Sequence, residues 1–152
     1  MFAEKKRLGR KRIARGSPGK RLYAVGDVHG CLKELETLLC LIEADHAARP
    51  VRPCHIVFLG DLVDRGPETC GVIGRLLETP PDFADLHFIS GNHEEMMLRC
   101  LSGEADLIPS WLAHGGHACA ISYGVDPALL HESDPARLEH ALLSHIPKAH
   151  ID

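Results

Sequence analysis

The chain is expected to fold as an α/β domain on a βαβαβ core with a parallel sheet, and three observations predict it. Short apolar runs at Leu22 to Val25, Ile56 to Leu59 and Leu86 to Ile89 read as β-strands. Each leads into a Gly-flanked polar cluster: Gly26-Asp27-Val28-His29-Gly30, Gly60-Asp61-Leu62-Val63-Asp64-Arg65-Gly66, and Gly91-Asn92-His93-Glu94. Helical patterns separate the clusters, and alternating strands and helices build a sheet whose ligands gather at the carboxyl ends of its strands. All three clusters fall there, so Asp27, His29, Asp61, Asp64, Asn92 and His93 are expected to converge on one site.

The elements follow in order. Residues 1–20 lack hydrophobic periodicity, end in Gly16-Ser17-Pro18-Gly19 and read as a flexible basic tail, with residues 21–152 as one domain. A nucleic-acid or anionic-lipid contact, or an organelle presequence, is the sharper reading of that tail. Leu32, Leu35, Leu38, Leu39 and Ile42 recur at helical spacing, and Glu34 and Glu36 suit the N-terminal turns of that helix. Arg49-Pro50-Val51-Arg52-Pro53 returns the chain to the second strand. Pro67 suits the first position of the next helix, Val72, Ile73, Leu76 and Leu77 its buried face, and Pro80-Pro81 its end. A third helix is expected from Glu94 to about Leu101, and a last one over Pro135 to Ser144. Between them His114 and His117 form an H-x-x-H, but Gly115-Gly116 argues against a helix carrying both imidazoles on one face.

With 152 residues, 45% hydrophobic and 25% charged, the composition is that of one globular domain. No apolar run reaches the ~20 residues of a membrane span. Six scattered cysteines without a Cys-x-x-Cys pair read as reduced thiols of a cytoplasmic protein. Through Arg21 there are nine basic residues against Glu4 alone, and beyond it eight basic against twenty acidic. An acidic body around an Asp-rich site attracts divalent cations and argues against a nucleic-acid-binding face.

Oxygen and imidazole donors without thiolate suit Mn, Fe(II) or Zn. Asp27 and His29 are placed to bind one ion, Asp61 to bridge it to a second, and Asn92 to complete the second. Two ions ~3.5–4 Å apart lower the pKa of a bridging water and clamp an in-line displacement at phosphorus. His93 is expected to point into the cleft without binding metal and to protonate the leaving oxygen, with Asp64 holding its ring. Arg65 offers a planar fork for phosphoryl oxygens. Read singly, each cluster is only a turn; three in βαβ order are not.

At these residues the chain resembles the PPP family of metallophosphoesterases, whose clusters read GDxHG, GDxVDRG and GNHE. The resemblance covers Leu22 to Gly124 and is nearest the bacterial serine/threonine protein phosphatase branch, through Trp111, Gly115-Gly116 and Ser122-Tyr123-Gly124. It implies a calcineurin-like αββα sandwich, of which this chain is expected to hold the N-terminal part with its βαβαβ core. It implies the same roles for Asp27, His29, Asp61, Asn92, His93, Asp64 and Arg65, and two divalent ions, Mn2+ foremost. The expected substrate is a phosphoprotein carrying phosphoserine or phosphothreonine, or a phosphorylated small molecule. Hydrolysis of dinucleoside polyphosphates is the alternative, and a metal-binding remnant without turnover is another. The chain departs from the family pattern at Ser90, where Arg is common, and at His114 and Cys119, where bacterial relatives often carry Asn and Thr. The two further His-bearing segments of the family are not evident after Ser144, with His145 and His150 the nearest substitutes. The half-sheet expected to be missing leaves an unpaired edge, from which self-association follows.

Overall fold

The computed structural model describes residues 18–151, so all but the last residues of the expected basic tail lie outside the described residues. Strands β1 (Arg21–Val25), β2 (Cys54–Phe58) and β3 (Asp85–Phe88) form a parallel sheet in the order β1-β2-β3. Helix α1 (Leu32–Ala48) joins β1 to β2 and α2 (Thr69–Glu78) joins β2 to β3. This is the expected βαβαβ core, and among the described residues it is the one sheet.

The strands alternate because side chains on a strand point to opposite faces. Val25, Ile56 and Phe58 are buried together with Leu35, Leu39 and Ile42 of α1 and Val72 and Leu76 of α2. Leu22, on the other face, is 62% exposed. The helical half of the chain completes the core: α3 (Asn92–Cys100), α4 (Ile108–Trp111), α5 (His117–Ser122) and α6 (Pro135–His145) bury Met97, Ile108, Trp111, Cys119, Leu138 and Leu142.

Three boundaries differ from the expectation. Helix α1 runs past Ile42 to Ala48 because His46 is buried against the Phe83 ring, extending the packed stripe. It stops at Arg49, the residue before Pro50, where helical backbone is disfavoured. Helix α2 starts at Thr69 rather than Pro67, since Gly66 and Glu68 bond back to the first loop at His29 and Gly30 carbonyls. Helix α3 starts at Asn92 rather than Glu94, which puts Asn92 and His93 in its first turn.

The six cysteines are free, as expected of reduced thiols. Burial pushes the Cys100 thiol up to about 11 and, with help from the Asp64 charge, the Cys119 thiol up to about 12. Among the described residues no helix is long and apolar enough to cross a membrane.

Candidate metal centre and active site

The loops after the three strands meet at the carboxyl edge of the sheet. The second loop is the hub. Its Asp61 carbonyl accepts from the Val28 and His29 amides of the first loop at 3.0 and 2.9 Å, and the Gly66 amide donates to the His29 carbonyl at 2.9 Å. A β-carbon on Gly66 would collide with that carbonyl, so the close approach of the two loops requires glycine there. His29, Asp61, Asp64 and Arg65 all have positive φ, between 45° and 70°, and are the only non-glycine residues in that region among those described. Left-handed backbone at such residues costs on the order of 1–3 kcal/mol each and persists where the surroundings over-determine it.

Glu94 supplies much of that over-determination. Its carboxylate accepts from the Asp61 and Gly91 amides through Oε2, at 2.7 and 2.8 Å, and from Leu62 and Val63 through Oε1, at 2.7 and 3.2 Å. The sequence reading gave Glu94 no role in the site. Its place three residues after the Gly91 N-cap is the capping-box spacing, a signal that was there to be read.

One oxygen of Asp61 accepts from the His93 amide at 3.1 Å, which fixes the carboxylate beside the imidazoles. Ligand atoms of His29, Asp61 and His93 all lie within 4.8 Å of one another. The two rings differ in their partners. His29 Nδ1 donates to the Val63 carbonyl at 2.8 Å, so its Nε2 carries the lone pair; that atom is buried and has no hydrogen-bond partner. An orphaned imidazole nitrogen aimed between carboxylates fits a metal ligand. The nearest carboxylate to it, Asp27, is 3.7 Å away and 65% exposed in its side chain. His93 has neither nitrogen free. Its Nδ1 donates to Asp64 Oδ2 at 2.8 Å and its Nε2 accepts from Arg65 Nη2 at 3.0 Å. These contacts argue for an acid–base residue rather than a ligand, despite its proximity.

Asp64 is fully buried, and burial pushes its carboxyl above the usual range against the hydrogen bonds that hold the charge. Those come from His93 and from the Trp111 indole N–H, 3.1 and 3.0 Å from the two oxygens. Trp111 entered the sequence reading only through a resemblance; its part in orienting Asp64 was missed because α4 carries no periodicity pointing at the loop. Arg65 is held from the same side, its amide donating to the Gly115 carbonyl at 3.0 Å.

The remaining histidines divide. Gly115, at φ 119°, breaks the helix between His114 and His117. His114 lines a cleft of about 340 Å³ with Arg65, Asn92, His93 and Arg99, while the His117 ring lies 6.5 Å from that of His131. His145 turns back on the Ala141 carbonyl, and His150 bonds Tyr123 at 3.1 Å. Neither belongs to the His29, Asp61 and His93 group.

The family model for calcineurin-like phosphoesterases matches residues 20–146. The chain belongs to that family. Among curated relatives of this calcineurin-like phosphoesterase is a symmetrical bis(5'-nucleosyl)-tetraphosphatase of Methylococcus capsulatus, 30% identical over 76% of this chain and 47% of that protein. Another is a serine/threonine-protein phosphatase 1 of Salmonella typhimurium, 32% identical over 64% of this chain and 39% of that protein. A crystal structure of a candidate diadenosine tetraphosphatase is 27% identical, with a TM-score of 0.42, and covers 83% of this chain and 43% of that one. The chain thus spans less than half the length of the curated relatives it matches.

Proposed function

We propose that this phosphoesterase hydrolyses a phosphoanhydride of the dinucleoside polyphosphate class at a dinuclear metal site. The observation that carries the chemistry is the contrast of His29, with a free buried nitrogen, and His93, clasped between Asp64 and Arg65. Asp27, His29 and Asp61 would hold one divalent ion and Asp61 with Asn92 a second, Mn2+ foremost and Fe2+ or Zn2+ next. When bound, such ions supply Lewis acidity toward phosphoryl oxygens and lower the pKa of water.

The chain's own residues do the rest. Arg65 lies on His93 Nε2, the atom from which a proton must reach the leaving oxygen. A phosphoryl group would compete for the guanidinium fork and draw Arg65 away, freeing the Nε2 lone pair to take up a proton from solvent and then deliver it to the leaving oxygen. Asp64 keeps Nδ1 protonated throughout, and Trp111 keeps Asp64 in place. The cleft beside His93, with Arg65, His114, Glu95 and a Glu104-paired Arg99 on its walls, would lie on the leaving-group side, where Arg65 is, among the described residues, the cation without a carboxylate partner of its own.

This substrate class is the alternative of the expectation from sequence, moved ahead of the phosphoprotein by the similarity to tetraphosphatase relatives. Phosphoserine or phosphothreonine on a protein is the second reading, favoured by the similarity to the Salmonella phosphatase. Turnover of diadenosine tetraphosphate and of a phosphopeptide, with added Mn2+, tests both. Faster cleavage of the dinucleotide is expected, falling roughly 10²–10⁴-fold in His93→Ala. Faster cleavage of the peptide overturns the substrate class. A folded, metal-loaded chain that turns over neither overturns the proposal.

A further inference from the structure

We propose that the cleft beside His93 continues into a subsite for the nucleoside of the departing nucleotide, with His114 Nε2 accepting a hydrogen bond from it. The inference deepens the dinucleoside polyphosphate reading and takes its leaving group from it.

The charge along the cleft decides what each part can hold. Asn92, Glu95, Met96 and Arg99 recur at i, i+3, i+4 and i+7 on α3 and line one wall. Arg99 therefore stands ~10 Å farther along the helix axis than Asn92, away from the catalytic loops. At the near end Arg65 lies against His93, its guanidinium without a carboxylate partner among the described residues. Farther out the positive charge is already spent: Arg99 Nε and Nη2 donate to the two Glu104 oxygens at 2.9 and 2.6 Å. Glu95 adds a negative charge to the same wall. A polyphosphate laid past Arg65 would run along a carboxylate with no free arginine to offset it, whereas an uncharged hydrogen-bonding group meets no such repulsion. At about 340 Å³ the cleft falls within the ~300–1,000 Å³ of sites that take small organic ligands. The half-buried Met96 offers a base a soft apolar surface there.

His114 stands on the other wall, in the turn after α4. Its Nδ1 lies 2.7 Å from the Ser110 carbonyl. A carbonyl oxygen only accepts, so Nδ1 carries the proton and the neutral ring keeps its lone pair on Nε2. The residue is exposed, and that nitrogen has no protein partner among the described residues. The bond to Ser110 also fixes the ring one residue from Gly115, whose carbonyl takes the Arg65 amide at 3.0 Å. Guanidinium and imidazole are thus positioned together, Arg65 for a phosphoryl group and His114 for the donor that follows it. A nucleoside supplies such donors in its ribose hydroxyls and exocyclic amine. An ionised phosphate oxygen only accepts, and supplies none.

Titration calorimetry of the full chain with added Mn2+ tests the subsite, with α,β-methylene-ADP and methylene bisphosphonate as ligands. The two share a methylene-bridged phosphorus pair and differ by the nucleoside. The wild-type chain is expected to prefer the nucleoside-bearing ligand, and His114→Ala to cut that preference roughly three- to tenfold, the share of one hydrogen bond. His114→Phe keeps a ring without a lone pair and is expected to fall with it. His114→Gln offers an accepting amide oxygen and is expected to regain part of the preference. A wild-type chain that shows no preference overturns the proposal, as does a preference that survives whole in His114→Ala and His114→Phe. Turnover decides the substrate class separately: faster cleavage of phosphopeptide than of diadenosine tetraphosphate overturns that reading, while the ligand preference, read without cleaving a bond, still decides the subsite.

Discussion

The first and second loops sit side by side at the same edge of the sheet and are held in opposite ways. The second, from Gly60 to Gly66, is fixed by protein on every side: Glu94 takes its amides, Trp111 and His93 take Asp64, and Gly115 takes Arg65. The first, from Gly26 to Gly30, leans on the second through its backbone, while Asp27 is 65% exposed and His29 Nε2 has no partner. The second loop is pre-organised by the fold. The first leaves Asp27 and His29 Nε2 without a protein hydrogen bond among the described residues, the contacts that an ion would complete under the proposed function. On that proposal a pre-built acid–base half stands beside an ion-completed half, a division that suits charge stabilisation because groups already in place need no reorganisation during reaction.

The comparison is broken most severely at Glu94. Glu94→Gln turns one acceptor oxygen into a donor facing two amide N–H groups, leaving those groups unsatisfied. At ~1–3 kcal/mol per buried orphan, the loss is on the order of 4 kcal/mol. For a domain of this size that lowers Tm by roughly 10 °C, and activity is lost with it. A melting temperature within about 2 °C of wild type would show that the second loop holds itself and that the contrast between the loops is false.

Trp111→Phe comes next. The ring keeps most of its packing volume but loses the N–H shared by the two Asp64 oxygens, at a cost of ~1–3 kcal/mol. Because Asp64 orients His93, kcat is expected to fall while KM changes little. A drop in stability with kcat unaltered would make Trp111 a packing residue only.

How much of this was legible in the sequence follows from what each residue's role depends on. That Asp27, His29, Asp61, Asp64, Arg65, Asn92 and His93 meet at one edge was readable because strand-then-Gly-cluster is a local pattern and the topology delivers all three loops there. Glu94 was half readable: its capping position is local, but its three bonds to the second loop span 31 to 33 residues. Trp111 was not readable, because its partner lies 47 residues away and no periodicity ties a four-residue helix to it. Nor were the positive φ values at Asp61, Asp64 and Arg65, since neither Asp nor Arg demands that conformation; the surrounding bonds impose it.

Asp64 gives the comparison a pH signature of smaller size. Burial raises its carboxyl above the ordinary ~3.9. Between that ordinary value and the raised one, the native chain holds a proton that the unfolded chain has released. Its contribution to stability is therefore complete below the ordinary value and is lost as pH rises through the raised one. Asp64→Asn removes this slope from a plot of Tm against pH, and Trp111→Phe, by removing a donor to the charged form, carries it to higher pH. A profile identical in all three chains would mean that Asp64 titrates as an ordinary carboxyl.

The smallest effect is expected at Asp27, and it is the sharpest test of what the first loop lacks. Asp27 is mostly exposed and bonded to nothing that the fold depends on, so Asp27→Asn changes the stability of the metal-free chain by no more than ~0.5 kcal/mol. Added Mn2+ is a different matter. An ion that binds only the native state stabilises it by RT ln(1 + [L]/Kd), so a weaker site shows as a smaller rise in Tm at the same concentration. The rise seen for the wild-type chain should shrink in Asp27→Asn and remain whole in Trp111→Phe. Should Asp27→Asn already melt several degrees lower with chelator present, the first loop is as protein-bound as the second and its open contacts are not what an ion completes. Equal rises in the two variants would instead remove Asp27 from the ligand set and leave His29 and Asp61 to carry it.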